Sequence, residues 1–557
     1  RGSVGSSFAA TMAGITEVNP LEPHYICPKC HNLKFTDRLD KYDTGFDMPD
    51  RVCEKCGTNM NKNGLNIPFA TFLGFNGDKE PDIDLNFAGE YQPIAHKFVG
   101  EIFGEENIFK AGTVATIAEK TAFGYVKKYE ENTGKSFSNS EELVLANGCT
   151  GTKRTTGQHP GGIIVVPADR EIFEFCPVQK PANNRDAEFI TTHFDYHKID
   201  KNLLKLDILG HDVPQMIRHL QDMTGVDPLG IDIADKKTLS IFTSIDALNI
   251  VNPDDYEFKH GTYGIPEFGT NFTRGMLNAI KPKTISALIK ISGFSHGTDV
   301  WTNNAEDLIK NGVATIDELI SCRDDIMNYL MIKGVDKSNA FKIMEAVRKN
   351  KELKQEELDI MKEHGVPDWY VESCRTLKYL FPRAHAAAYV MMALRMAWFK
   401  VYYPSAFYCA WLSTKIDNFD VNVARGGVEA AKAALSSLNS EDDDTSAAKK
   451  KELKVVYEVI YELLSRGCEF SLPELGVSDP CMFNVVDDKI KIPFMAVSGV
   501  GRSAAISLAE AYKEGPFLSI DEVQRKTKLS STNIEDLKAC GVFDELPDSA
   551  QVSIFDM

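Results

Sequence analysis

A chain of 557 residues is too long for a single hydrophobic core, and ordinary domain sizes divide it into roughly three or four domains. Its 43% apolar and 25% charged residues are those of a globular protein, and a net charge of −18 argues against a protein that merely coats nucleic acid. The longest apolar run, AAAYVMMALRMAWFKVYY, is interrupted by Arg395 and Lys400, so it reads as a buried helix, with no membrane partner.

From the N-terminus, RGSVGSSF opens without methionine or a signal-type apolar stretch, and reads as a fragment of a longer protein. Its glycines let backbone N–H groups approach a phosphate, and Ser3 and Ser6 offer hydroxyls; such a loop alone is weak evidence. Cys27, Cys30, Cys53 and Cys56 then form two C-x-x-C pairs about twenty residues apart. Four thiolates from two tight turns complete a tetrahedron with no open position, which points to structural zinc rather than redox thiols. Eight further cysteines show no disulfide-like spacing, in keeping with a reducing, cytoplasmic setting.

The stretch EPDIDLNF places Asp82 and Asp84 on one face of a strand, with Ile83 and Leu85 on the other. Two like charges there call for a cation, and a third carboxylate must come from elsewhere. NLLKLDILGHD supplies it: Lys205 and Asp207 share a strand face, so an adjacent strand brings Asp207 beside the acidic pair. Between them, KRTTGQHPGGIIVVP combines Arg154 and His159 with Gly161 and Gly162, which as a bare hairpin turn would only permit positive φ.

Downstream the pattern is helical. Arg348, Lys349 and Lys351 sit at a helix end, where cations suit the macrodipole in any case. Pro382 starts a helix that carries Arg383, and His385 and Tyr389, four residues apart, share a face of it. The acidic run SEDDD reads as a solvated loop. AVSGVGRSAAISLAEAY has the Gly-x-Gly turn and following helix of a helix-hairpin-helix, in which Gly499, Gly501, Arg502 and Ser503 can hold a DNA phosphate.

Taken in order, RGSVGSS, PDIDLNF, TTGQHPGG, KLDILG, SGFSHGTDVW and FPRAHAAAY resemble the bacterial C-family replicative DNA polymerases over essentially the whole chain. The cysteine pairs and Asn86 favour the PolC-type branch, the Gram-positive form of the DNA polymerase III alpha subunit, here as a C-terminal polymerase fragment. That resemblance implies an α+β multidomain protein. It would have a Pol β-like nucleotidyltransferase palm with inserted zinc module and helical thumb, largely helical fingers and a helix-hairpin-helix duplex-binding domain. It implies template-directed addition of deoxynucleoside triphosphates to a primer, with two Mg²⁺ ions on Asp82, Asp84 and Asp207. Arg1, Gly2, Ser3, Ser6 and Lys205 would face the triphosphate in the palm, and Ser295, His296, Arg348, Lys349, Arg383 and His385 would face nucleotide from the fingers. Arg154 and His159 would contact DNA near the primer terminus, His159 without acting as a general base. The tail QVSIF (Gln551, Val552, Ser553, Ile554, Phe555) resembles a sliding-clamp pentapeptide with two leucines replaced, so clamp and replisome partners join primer–template DNA and dNTP.

The expected map is palm 1–210 (zinc module 24–60, thumb 95–150), fingers 211–425, duplex-binding domain 426–540 and tail 541–557. The OB, PHP and exonuclease modules of the family have no counterpart here, so the sequence predicts polymerisation without proofreading. Two rivals are a different nucleotidyltransferase on the same metal-acid palm, and a non-catalytic zinc and helix-hairpin-helix DNA-binding protein.

Overall fold

The computed structural model describes residues 2–37, 41–75, 77, 83–180, 189–199, 202–438 and 446–549. By its internal contacts the chain forms two compact units, Arg1–Val4 with Glu80–Gln215, and Gly5–Lys79 with Met216–Met557.

The first unit is a six-stranded mixed sheet. In chain order its strands are β1 (Ile83–Ala88), β2 (Ile108–Thr116), β3 (Lys153–Val165), β4 (Val178–Gln179), β5 (Thr191–Asp195) and β6 (Leu204–His211), in spatial order β1-β6-β3-β2-β5-β4. β1 and β6 run parallel, and β3 lies antiparallel to both β6 and β2. Residues in one cross-strand row share a face. The row Ile83, Leu206, Ile163, Lys110 therefore faces one side, and Asp84, Asp207, Gly162 the other. The first side is covered by helix α1 (Gln92–Phe103), whose Ala95 and Val99 pack on Ile108, Ile163 and Ile208. The second is roofed over β2 and β3 by Ile172, Cys176, Ile199 and Leu203, packed on Phe109, Ala111 and Ile164.

Between β2 and β3 an antiparallel-type helix pair leaves the sheet, α2 (Glu119–Thr133) and α3 (Asn139–Cys149). Ala122, Val126 and Ala146 join the two, and a Ser138–Glu141 capping box starts the second. Helix α1 is not part of this insertion, because it packs its apolar face on the sheet.

The second unit is predominantly helical. Helices α4 (Ile285–His296), α5 (Arg323–Ile332), α6 (Lys337–Arg348), α7 (Arg383–Tyr402) and α8 (Arg502–Lys513) are the ones that bear on function. Helix α7 is buried along most of its length, as its long apolar run, interrupted by Arg395 and Lys400, predicts. No described helix is long and apolar enough to cross a membrane. Segment 5–79, expected within a palm spanning 1–210, groups with these helices. The reason is a set of buried polar contacts. Asp47 accepts the Ile285 and Ser286 N–H groups at 2.8 Å each, capping α4, and Asp43 takes the Ser286 hydroxyl at 3.0 Å. Arg383, only 1% exposed, pairs with Asp43 at 2.6 Å and Asp325 at 3.3 Å, and its Nε donates to Leu65 O at 3.0 Å.

Burial alone would push the Asp325 carboxyl up, but Lys290 and Arg383, with the Ser321 hydroxyl and N–H, hold it at about 2. Its stabilising effect is thus complete above about pH 4, the ordinary carboxyl range, and is lost as pH falls toward 2. Replacing Arg383 with Met removes the guanidinium shared by Asp43 and Asp325, leaving Asp325 to Lys290 and Ser321. Denaturant titration at neutral pH is expected to show a loss of about 3–5 kcal/mol. At pH 2–3, where Asp325 approaches its protonated form, the same variant should lose less.

Candidate active site and metal centre

The chemistry of the first unit gathers where β1, β6 and β3 meet. Asp84 stands directly opposite Asp207 on the neighbouring parallel strand, and Gly162 opposite Asp207 on the other side. Adjacent strands lie about 4.8 Å apart, so the two carboxylates share one patch of surface. Lys205 Nζ lies 3.0 Å from Asp207 Oδ2 and 4.7 Å from the centre of the Tyr196 ring, which places one cation against the pair. Asp207 Oδ1 is buried and accepts no hydrogen bond.

The nearest group to that oxygen is His159 Nδ1, at 3.5 Å, but it is not an ion-pair partner. Nδ1 already accepts the Gly162 N–H at 2.7 Å and the Gly161 N–H at 3.2 Å, so its lone pair is in use and the ring proton sits on Nε2. Burial pushes the imidazole pKa down, against the pull of Asp207. His159 therefore offers Asp207 Oδ1 no proton, and a hard cation between β1 and β6 would satisfy that oxygen. Gly161 and Gly162 lie in the strand and not in a positive-φ turn. They are glycines for lack of room: a Cβ on Gly161 would stand 2.5 Å from Leu209 Cδ2 and 2.7 Å from Ile208 O.

Behind the acidic row, on the α1 side, Lys110 Nζ is 2.6 Å from His96 Nδ1, and His96 Nε2 is 3.3 Å from Ile208 O. Burial, then the Lys110 charge, pushes His96 down to about 4, and burial lowers Lys110 to about 8. His96 is thus a neutral Nε2–H donor to the backbone beside Asp207. Gln92, one turn earlier, donates from Nε2 to the same Ile208 O at 2.7 Å. The sequence reading passed over these three residues and Tyr196. The available signal was a glutamine and a histidine four apart on the same buried helix face as Ala95 and Val99.

In the second unit, Cys27, Cys30, Cys53 and Cys56 converge, with all four sulfurs within 4.8 Å of one another. Two copies of one turn present them. His31 N donates to Cys27 O at 3.0 Å and Gly57 N to Cys53 O at 2.9 Å, each from a left-handed residue, His31 at φ 56° and Gly57 at φ 70°. Sulfurs of Cys27 and Cys56 are 3.4 Å apart, and those of Cys30 and Cys53 3.5 Å. A tetrahedron with metal–sulfur bonds of about 2.3 Å has edges of about 3.8 Å, so the cluster fits one soft divalent ion with slight expansion.

The remaining expected residues divide. Asp82, Arg1 and the pentapeptide Gln551, Val552, Ser553, Ile554 and Phe555 lie outside the described residues, as do the side chains of Gly2 and Ser3. Ser6 turns inward, its hydroxyl 2.9 Å from Thr71 Oγ1. Arg383 is consumed by Asp43, Asp325 and Leu65, so its guanidinium serves the fold where a nucleotide contact was expected. Arg348 and Lys349 both reach Glu345, at 2.7 Å and 3.1 Å. Arg154 is exposed on β3. Ser295, His296 and His385 cluster: Ser295 Oγ is 2.9 Å from His296 Nδ1, His296 Nε2 is 2.9 Å from Glu267, and the two imidazoles are 5.5 Å apart. Gly499, at φ +76°, and Gly501, the N-cap residue, lead into α8, with Arg502 and Ser503 in its first turn. Asn533 Nδ2 holds the turn through Gly499 O at 2.8 Å.

A family model for the bacterial DNA polymerase III alpha NTPase domain matches residues 1–140 and 128–210, one for the bacterial DNA polymerase III alpha subunit finger domain matches 213–366, and a helix-hairpin-helix motif matches 467–552. The chain is 52% identical over 556 residues to the DNA polymerase III PolC-type of Caldanaerobacter subterraneus subsp. tengcongensis. It is 51% identical over 556 residues to that of Oceanobacillus iheyensis, and 49% over 555 residues to that of Thermotoga petrophila. Each match covers all of this chain but 39%, 39% and 40% of the relative, so the chain spans about two fifths of their length. The matches carry the family, and the C-terminal placement of the fragment stays an expectation.

The two kinds of glycine in these sites separate experimentally. Gly161→Ala drives a Cβ into backbone and is expected to cost about 1–3 kcal/mol of stability. Gly501→Ala, whose Cβ would meet nothing within 4 Å, is expected to stay within about 0.5 kcal/mol of the parent on thermal unfolding.

Proposed function

Because this chain belongs to the PolC-type DNA polymerase III family, we propose that it carries the polymerising centre of such an enzyme. It would add deoxynucleoside triphosphates to a primer 3′-hydroxyl under direction of a template strand. The observation that carries this reading is the pair Asp84–Asp207 in register on parallel strands, with a buried carboxylate oxygen left without a donor. Hard oxygen ligands of that kind suit Mg²⁺, and Asp82, two residues before Asp84 in the sequence, is the proposed third ligand. Two Mg²⁺ ions on these acids would supply charge neutralisation for the primer hydroxyl, the triphosphate and the departing pyrophosphate.

The chain's own residues do the positioning. Asp84 and Asp207 are fixed on neighbouring strands, so their spacing is set before any ligand arrives. Lys205 balances Asp207 and is the proposed palm contact for triphosphate oxygens. His159, neutral and held by two backbone N–H groups, presents an Nε2–H to primer or nucleotide and is unsuited to take a proton at Nδ1. The helix pair α2–α3 is the proposed thumb. Cys27, Cys30, Cys53 and Cys56 would hold one structural zinc. The turn Gly499–Gly501 with Arg502 and Ser503 would hold a duplex phosphate, and Gln551–Phe555 would dock on a sliding clamp.

Primer extension by Asp84→Asn and Asp207→Asn tests the centre. A loss of about a thousandfold or more is expected, with primer–template binding retained. Near-parental rates in both would exclude the metal assignment and favour a non-catalytic DNA-binding protein. For the cysteine cluster, native mass spectrometry is expected to find one zinc per chain. Cys56→Ser should remove it and lower the thermal midpoint.

A further inference from the structure

Helix α1 follows β1 after a turn of three residues, so Gln92 at its start is tied closely to the strand that carries Asp84. From there its carboxamide reaches across the sheet. Nε2 donates to Ile208 O on β6 at 2.7 Å and to Pro160 O on β3 at 3.4 Å. Those two carbonyls flank the functional side chains: Ile208 follows Asp207, and Pro160 follows His159. They also lie where the sheet is weakest. The paired register of β3 with β6 ends at Gly162 opposite Asp207, and the N–H groups of Gly161 and Gly162 turn to His159 Nδ1. At that break a side chain joins the strands. His96, one turn along α1, adds a second donor to Ile208 O at 3.3 Å.

The fit of the amide is specific. Both acceptors are carbonyl oxygens, so the NH₂ end must face them. The opposite end lies against Gly210, where a Cβ would come within 3.0 Å of Gln92 Oε1. Asp84 and Asp207 stand side by side on β1 and β6 at this place, and on the other side of Asp207 the ladder to β3 stops at Gly162. We propose that Gln92 is a positioning residue for the reaction: its carboxamide bridges β6 and β3 where their ladder ends, and so fixes Asp207 in relation to Asp84 and His159. The proposal rests on the polymerase reading above.

The experiment is steady-state primer extension by the full chain carrying Gln92→Met, which keeps length and volume and removes both donors, beside Asp207→Asn. Expected for Gln92→Met are a fall in kcat of about tenfold, a KM for dNTP within about twofold of the parent, and a Mg²⁺ activation midpoint raised severalfold. The Mg²⁺ midpoint is the readout that a merely structural role would not move. If Gln92→Met lowers the thermal midpoint, Gln92→Leu, neutral and likewise without donors, takes its place with the same expected outcome. Parental kcat and Mg²⁺ midpoint in these variants, with Asp207→Asn inactive, would overturn the role of Gln92 and leave the polymerase reading standing. A fall in kcat with an unmoved Mg²⁺ midpoint would overturn it as well, by assigning Gln92 to folding alone. An active Asp207→Asn would instead overturn the reading beneath it.

Discussion

Like charges held face to face are the constraint from which the rest of the first unit follows. At a separation of about 5 Å, two carboxylates at an effective dielectric of about 20 repel by roughly 3 kcal/mol, comparable to the gain from burying one large apolar side chain. A lone strand pair could not carry that load. Asp84 and Asp207 therefore sit on two strands whose opposite face is pinned by α1, with Leu85, Phe87, Leu206 and Ile208 in its core. Lys205 takes up part of the charge from the front, and Lys110, though buried, stands behind the same sheet. In this arrangement the repulsion stores affinity for a cation, because the scaffold, and not the ion, has already brought the oxygens together.

The legible part of this centre was the part written in strand periodicity. A D-x-D on an alternating strand and a lone aspartate on a second one predict a shared face once the strands pair, and Asp84 and Asp207 are indeed in register. The cysteine knuckles were legible for a similar reason, since their spacing encodes a local turn; the left-handed conformation at His31, a non-glycine, carried no such signal. Arg383 reads as a nucleotide contact because a basic residue beside a histidine at a helix start has the chemistry of an anion site. Its partners Asp43 and Leu65 lie more than three hundred residues away in sequence, and only folding reveals that the charge is already taken. Gln92 escaped notice because an amide that bonds backbone carbonyls leaves no complementary side chain to look for.

In the second unit the equivalent constraint is a guanidinium without solvent. Arg383 satisfies carboxylates at Asp43 and Asp325 and the main chain at Leu65 and Asp43, drawing on the fork of donors that a lysine lacks. Asp324 also accepts the Arg383 backbone N–H at 2.6 Å, so the start of α7 is gripped by main chain and side chain together. A lysine in its place, a point charge without the planar fork, would not span both acids and both carbonyls at once. The cost is shared among four positions, and no single replacement restores it. Residues 43, 325 and 383, which meet through their side chains, are thus bound to drift as one group over evolutionary time, a linkage that would show as covariation between stretches of chain with no proximity in sequence.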